Sequence, residues 1–180
     1  MNENLLSVRE MREEDVELIV QYWLNADSAF LKGMGVDLDK VPGGEQLTEM
    51  LSAQLSQSYE EKHSYCMIWL VDGRAVGHSN VNKIVFGEEA YMHLHLWDPA
   101  ARGKGFGTAL VKMTLPYFFN NLKLKKLNCE PYALNPAPNN TLAKIGFGFV
   151  QEYVTVPGWI NFEQAVKRWE LTREQFLALP

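Results

Sequence analysis

The sequence predicts a mixed α/β fold of the α+β kind, in which a largely antiparallel sheet is flanked by helices. Three features predict it. Asp72-Gly73 joins two apolar runs and is a strong signal for a two-residue hairpin turn. Gly87-Glu88-Glu89 is a second turn signal, so three antiparallel strands are expected in succession. A glycine-rich loop at 102–107 then leads into an amphipathic helix.

The N-terminal part is predicted to hold one strand and two helices. Leu6 to Met11 is expected to form the strand, and the acidic turn Arg12 to Asp15 opens a helix that runs towards Leu24. Glycines and prolines between Asp27 and Gly44 predict a loop that borders a substrate cleft. A second helix is expected from about Glu45 to Ser56.

The remaining elements follow from apolar periodicity and turn residues. The three successive strands are predicted at Tyr65 to Val71, Arg74 to Val85 and Tyr91 to Trp97. After them we expect a helix at Phe106 to Phe119, a strand at Lys126 to Glu130, a short helix at Asn139 to Ile145, and strands near Phe149 to Val156 and Arg168 to Leu171. In the loop before the last strand, Trp159 and Phe162 wall a substrate pocket, cover the core or form a dimer contact, and these alternatives stay open.

Length and composition narrow the class of protein. The 180 residues suit a single domain over 1–180, and the apolar and charged fractions of 47% and 22% are globular averages. A net charge of −5 argues against a nucleic-acid partner and mildly favours a cationic substrate. The sequence shows no signal-peptide pattern and no apolar run approaching about 18 residues, so we expect a cytoplasmic protein and no membrane partner. Cys66 and Cys129 lie outside any CxxC spacing and are expected to be buried strand residues.

The glycine-rich segment Arg102 to Thr108 predicts an anion-binding loop. Glycines allow close backbone approach, and the helix N-terminus brings free N–H groups and a favourable dipole. Arg102 and Lys104 add positive charge where a pyrophosphate and a ribose phosphate would lie. A dinucleotide fold would need a parallel βαβ unit, and a P-loop would need Gly-Lys followed by Ser or Thr. An ordinary tight turn remains the alternative.

At these residues the chain resembles the GNAT superfamily of acyl-CoA N-acyltransferases. The family signature for phosphate binding is Gln or Arg, two residues, Gly, one residue, and Gly or Ala. Arg102, Gly105 and Gly107 match it. A second family element, an Asn eleven residues before Gly-Phe, is matched by Asn135 and Gly146-Phe147.

The resemblance implies a GNAT-like fold with acetyl-CoA as co-substrate. A strand would splay away from the strand Tyr91 to Trp97 and leave a slot for the pantetheine arm, which backbone groups of about His95 to Trp97 would bind. The implied coenzyme-binding residues are Leu96, Trp97, Arg102, Gly103, Lys104, Gly105, Phe106, Gly107, Thr108 and Asn135.

Two histidines are the candidate general bases. Tyr91, His93, His95 and Trp97 alternate along one strand and therefore share a face. An alkyl amine with a pKa near about 10.4 is protonated at neutral pH, so acyl transfer to it benefits from a base. Glu130, across the slot from His93, would orient the imidazole or receive the amine. Packing histidines and a solvated strand-end carboxylate are the alternatives. No metal is expected, because His-x-His lacks a clustered third ligand.

Within the superfamily, the sequence is most similar to the aminoglycoside N-acetyltransferases and the siderophore-type hydroxylysine acyltransferases. Both share the loop Gly103-Lys104-Gly105 and an acid-proline step, here Glu130-Pro131. His93 matches the hydroxylysine branch, but Tyr132 replaces its Asp, and serves here as a general acid or as cleft wall. Leu142 stands where many members place a general-acid tyrosine.

The implied function is acetyl-CoA-dependent transfer of an acetyl group to an amine of a small molecule, by direct attack on the thioester. Three alternatives stay open. They are an N-terminal protein acetyltransferase of the ribosomal-protein type, a siderophore hydroxylysine acyltransferase, and a non-catalytic acyl-CoA-binding domain. A homodimer is a further expectation that the sequence leaves open.

Overall fold

A seven-stranded sheet forms the centre of the fold in the computed structural model, which describes residues 5–180. Its strands are β1 Leu6–Glu10, β2 Tyr65–Val71, β3 Arg74–Val85, β4 Glu89–Leu96, β5 Lys126–Cys129, β6 Gly148–Thr155 and β7 Gln164–Thr172. They lie in the order β1-β2-β3-β4-β5-β7-β6, and all neighbours are antiparallel except β4 and β5. The predicted largely antiparallel α/β sheet is confirmed.

Helices flank both faces of this sheet. They are α1 Glu13–Asn25, α2 Ser28–Gly33, α3 Gly44–Ala53, α4 Phe106–Asn121, α5 Pro136–Ile145 and α6 Arg173–Leu177. The start of α5 lies three residues before the predicted one, because Pro136 occupies the first helical position, where its fixed φ is favourable. No helix within residues 5–180 is long and apolar enough to cross a membrane.

The predicted loop between Asp27 and Gly44 is wrong in part, because it contains α2 and a short 3-10 turn at Leu38–Lys40. The Asp27 side chain accepts a hydrogen bond from the Phe30 N–H at 3.0 Å and so caps α2. Leu31 anchors the helix in the interior. A helix of six residues is too short to show an apolar period, which explains why the sequence pattern missed it.

The turns that set the strand register are as predicted. Asp72 and Gly73 both have positive φ, at 51° and 76°, as a two-residue primed hairpin turn requires. Gly87, at φ 79°, turns the chain from β3 into β4. The resulting register places His78 beside His95 and Asn80 beside His93.

The two faces of the sheet carry different layers. The main core lies between one face and the helices α4 and α5, and Met92 of β4 belongs to it. On the opposite face a smaller cluster with Ile19 and Cys66 lies under α1 and α3. Cys66 and Cys129 are both buried strand residues, as predicted.

The parallel strands β4 and β5 separate after three paired positions. Their register runs from Glu89 opposite Lys126 to Tyr91 opposite Asn128, although β4 continues to Leu96. At the point of separation the Cys129 thiol donates a hydrogen bond to the Met92 carbonyl at 3.0 Å. Beyond it the edge of β4 that faces β5 is open, which confirms the splayed strand pair expected from the family resemblance.

Candidate active site

A cavity of about 730 Å³ lies where β4 and β5 separate. Several residues that the sequence singled out line it together: His93, His95, Glu130, Tyr132, Asn135 and Trp159. The phosphate loop lies apart from these lining residues, at the N-terminus of α4. The fold therefore places a predicted anion site and a cluster of titratable side chains at two ends of the β4–β5 opening.

The phosphate loop has the backbone geometry that an anion site needs. Gly103 and Gly105 adopt the left-handed conformation, with φ of 72° and 81°. Gly105 is the N-cap of α4 and has no side chain to accept the first-turn N–H groups, so these groups remain available to an anion. A Cβ placed on Gly103, Gly105 or Gly107 would meet no atom of the described chain within 4 Å. The space above these three glycines is therefore open.

The structure changes the role predicted for Arg102. Its guanidinium donates to the Leu96 carbonyl at 2.9 Å and to the Trp97 carbonyl at 3.3 Å. It also lies over the Phe30 ring, 3.9 Å from the centroid. Arg102 thus holds the loop against the end of β4 and against α2, and the exposed positive charge on the loop comes from Lys104.

The open edge of β4 presents the backbone of alternate residues. The Met92 carbonyl faces β5, where it binds Cys129, whereas the His93 carbonyl faces β3 and accepts from the Ser79 hydroxyl at 2.8 Å. Because backbone groups alternate in direction along a strand, those of Leu94 and the Leu96 N–H face the opening.

The backbone contact predicted between Trp97 and the coenzyme also needs a correction, because of the direction of its backbone groups. The Trp97 N–H donates to the Val76 carbonyl at 2.8 Å on the opposite side, and its carbonyl accepts from Arg102. Its backbone is therefore already paired, so of the predicted residues near the end of β4, the Leu96 N–H is the group left for a coenzyme arm.

His93 faces the cavity as a neutral imidazole. Its Nε2 atom lies 3.0 Å from Oδ1 of Asn82 on β3. Since an amide oxygen only accepts, the ring hydrogen resides on Nε2, and Nδ1 keeps the free lone pair. Burial, together with the positive charge of Lys83, lowers the pKa of His93 to about 4.

His95 has a structural environment that the sequence pattern did not show. Its ring stacks on His78 with centroids 4.6 Å apart, and its Nδ1 lies 3.2 Å from the Tyr22 hydroxyl of α1. Trp97 Nε1 donates to His78 Nδ1 at 2.7 Å. Burial lowers the pKa of His95 well below its usual range. The Nδ1 atom of His95 is therefore paired, whereas Nε2 has no hydrogen-bond partner in the described chain and His95 lines the cavity.

Glu130 projects from the end of β5 on the same face as His93. Its carboxylate is 8% exposed and accepts a hydrogen bond from the Tyr153 hydroxyl, and Arg168 lies 3.9 Å away. Both of these partners contact Oε1. No fully buried side-chain oxygen in the described chain lacks a partner, so Oε2, which has no hydrogen bond, keeps some accessible surface, and Glu130 lines the cavity. Glu130 is thus a partly neutralised carboxylate with one oxygen free for a ligand.

The loop between β6 and β7 closes one side of the cavity. Asn161 bridges to Val36, and the Asp37 N–H donates to the Ile160 carbonyl at 2.8 Å. Lys83 Nζ donates to the Pro157 carbonyl at 2.8 Å. Trp159 lines the cavity with about half of its surface exposed, which favours its predicted role as pocket wall. Phe162 packs edge-on against Tyr132, so Tyr132 also serves as cavity wall.

Three partners of the site residues were not identified from the sequence. Asn82 could have been found, because the hairpin register places β3 polar residues beside His93. Tyr153 and Arg168 come from β6 and β7, which follow the site in the chain by more than 20 residues, and no local signal links them to Glu130. The predicted position of a general-acid tyrosine, Leu142, is fully buried in the core. Within the described residues, no cluster of three or more His, Cys, Asp or Glu side chains could hold a metal ion.

Comparisons with known proteins agree with this geometry. Residues 6–148 match the model of a family described as the acetyltransferase (GNAT) domain. Curated protein sequences give no match. The fold is similar to that of spermidine N-acetyltransferase from Vibrio cholerae in complex with CoA and spermine, with a TM-score of 0.77 and 19% identity over 96% of this chain and 98% of that one. It is also similar to the ribosomal alpha-N-protein acetyltransferase RimL in complex with coenzyme A, with a TM-score of 0.77 and 14% identity over 94% and 95% of the two chains.

Proposed function

We propose, from the premise that this chain belongs to the GNAT acetyltransferase family and is an N-acetyltransferase, that it moves an acetyl group from acetyl-CoA to an amine of a small molecule. The observation that carries the proposal is the opening between β4 and β5. It borders a cavity that His93 and Glu130 line, and the phosphate loop follows β4 in the chain.

The coenzyme would be held by backbone groups more than by side chains. The first-turn N–H groups of α4 and the positive charge of Lys104 suit the pyrophosphate. The open backbone groups of Leu94 and Leu96 suit the pantetheine amides, and Asn135 lines the cavity from the α5 side. Acetyl-CoA itself supplies the thioester that carries the acetyl group.

The acceptor amine would bind between Glu130 and His93. Glu130 Oε2 attracts the ammonium form, and the neutral amine is the form that attacks. During attack a nitrogen–carbon bond forms, the carbon–sulfur bond breaks, and the nitrogen loses a proton. His93 Nδ1 accepts that proton as the nitrogen becomes positively charged. The leaving thiolate takes a proton from water, and the protonated His93 gives its proton to the hydroxide that remains.

A cavity with one walled side supports a small acceptor over a protein N-terminus. A peptide would need an open groove, whereas the β6–β7 loop is joined to the segment after α2 by the contacts of Asn161, Ile160 and Asp37. This wall bounds the cavity beside the β6–β7 loop, which favours a compact acceptor.

Calorimetry and a thiol assay test the proposal together. Acetyl-CoA is expected to bind the purified chain, and coenzyme thiol is expected to be released when simple monoamines, polyamines, aminoglycosides, hydroxylysine or short peptides are screened as acceptors. The absence of binding at millimolar acetyl-CoA would overturn the proposal. Binding without release for any acceptor would instead support the acyl-CoA-binding alternative.

A further inference from the structure

The charge of the cavity differs from the charge of the whole protein. The chain carries a net charge of −5. Among the described residues that line the cavity, however, Glu130 is the single carboxylate, and Lys83 carries the single permanent positive charge. The acidic character of the chain therefore lies elsewhere on its surface and does not extend to the acceptor site.

Both charged side chains have contacts within the protein. Arg168 lies 3.9 Å from the Glu130 carboxylate, and Lys83 Nζ is bound to the Pro157 carbonyl. Three of the four lining histidines, His78, His93 and His95, are neutral at physiological pH, because burial lowers the pKa of each. The cavity consequently offers one place where a positive charge gains a partner, which is Glu130 Oε2.

The part of the cavity that faces away from the coenzyme opening is mainly apolar. Helices α1 and α3 and the segments beside them supply its apolar lining: Ile19, Trp23, Met34, Val36, Pro42, Leu47, Met50 and Leu51. Asn80 on β3 and Gln54 after α3 are neutral polar side chains on this side. A second ammonium group placed here would lose part of its hydration against the apolar wall without gaining a carboxylate partner, which is unfavourable.

We infer that the acceptor is a monoamine with a mainly apolar body, such as an alkyl or aralkyl amine, and that polyamines are poor acceptors. This inference rests on the proposed function and narrows its substrate class. The single ammonium group pairs with Glu130, and the apolar body lies against Trp23, Leu47 and Met50. Neutral polar groups on that body are accommodated by Asn80.

A comparison of acceptors at saturating acetyl-CoA tests the inference. We expect kcat/KM for phenylethylamine and hexylamine to exceed that for spermidine and kanamycin by at least about tenfold. Equal or faster turnover of spermidine or kanamycin, or of a short peptide, would overturn the acceptor class and leave acetyl transfer intact. Thiol release from none of these acceptors would overturn the proposed function as well.

A charge variant tests the physical cause. Asn80→Asp adds a second carboxylate to the cavity with almost no change in shape, and we expect it to raise the ratio of spermidine to phenylethylamine turnover by about tenfold. Asn120→Asp makes the same chemical change on the exposed surface of α4 and should leave the ratio unchanged. An unchanged ratio in Asn80→Asp, with acetyl-CoA binding retained, would show that cavity charge does not select the acceptor.

Discussion

The imidazole of His93 and the amide of Asn82 lie on neighbouring strands, with Nε2 and Oδ1 3.0 Å apart. This contact determines which ring nitrogen can act on a substrate. With its hydrogen on Nε2, His93 presents Nδ1 as an acceptor, and the low pKa of about 4 keeps the ring neutral above that pH. His93 is therefore a weak base, suited to an amine nitrogen that acquires positive charge during attack and not to a free ammonium ion.

Replacing His93 should impair turnover without weakening coenzyme binding. We expect His93→Ala to lower kcat by about 100-fold, the low end of the range for a general base, because the base is weak. His63→Ala is the control, since His63 also lines the cavity but lies before β2, away from the β4–β5 opening. Steady-state thiol release and acetyl-CoA calorimetry measure the two effects. Equal activity of the two variants would remove His93 from the catalytic proposal.

The pH dependence should reflect the amine and not the histidine. Since His93 has a pKa of about 4, it does not titrate between about pH 6 and pH 8, and kcat/KM should rise about tenfold per pH unit with the neutral fraction of the amine. Lys83→Met removes the nearby positive charge and should raise the His93 pKa, as followed by proton NMR of the imidazole. An inflection near pH 6.5 that His93→Ala abolishes would contradict the assigned environment.

The phosphate loop can be tested with two glycines of the same backbone geometry. Gly105→Val should abolish acetyl-CoA binding, because its side chain would occupy the open space above the α4 N-terminus. Gly87 has φ of 79°, close to the 81° of Gly105, and its added side chain also meets no atom of the described chain within 4 Å. Gly87→Val therefore carries the same backbone strain away from the loop. Calorimetry that finds similar loss of binding in both variants would assign the effect to strain.

Arg102 and Lys104 should have separable roles. Arg102→Ala leaves the Leu96 and Trp97 carbonyls without their donor, so we expect the free energy of unfolding to fall by about 1.5–3 kcal/mol and acetyl-CoA affinity to fall with it. Lys104 is exposed, and Lys104→Ala should reduce the affinity for acetyl-CoA in a salt-dependent way with little change in stability. Urea unfolding and calorimetry distinguish them. Arg102→Ala with normal stability and weaker binding would restore the direct phosphate role first predicted for Arg102.

Acid should destabilise the protein through its buried histidines. Burial lowers the pKa of His78 to about 3, that of His93 to about 4, and that of His95 well below its usual range. Unfolding raises each pKa to about 6.5, so the unfolded chain binds protons that the native chain does not. Stability is therefore full above about pH 6.5 and falls at lower pH, with a slope that approaches about 4 kcal/mol per pH unit for three histidines.

Urea unfolding between about pH 7.5 and pH 5 measures this slope, above the range where most carboxylates titrate. His93→Gln removes one of the three groups and should reduce the slope by about one third. A midpoint that does not change between pH 7.5 and pH 5 would contradict the burial of these rings.

Local signals in the sequence determined the order of elements and the faces of the strands. Positive φ is cheap for glycine, and a two-residue turn leaves little choice of register, so the Asp72-Gly73 hairpin and the glycine loop before α4 could be predicted. The period of two along β4 placed His93 and His95 on one face, and the structure agrees. The coenzyme loop and the candidate base could therefore be named from adjacent residues alone.

Tertiary structure decided what each of these residues does, because a strand period shows the direction of a side chain but not the element that covers it. Tyr22 of α1 pairs with Nδ1 of His95, whereas Asn82 of β3 pairs with Nε2 of His93, so the two rings keep different nitrogens without a partner in the described chain. Phe30 lies on α2, a helix too short to be predicted, and its ring packs against the Arg102 guanidinium. The charge of the cavity likewise depends on the contact between Arg168 and Glu130. These two residues are far apart in the chain, and only the folded structure brings them together.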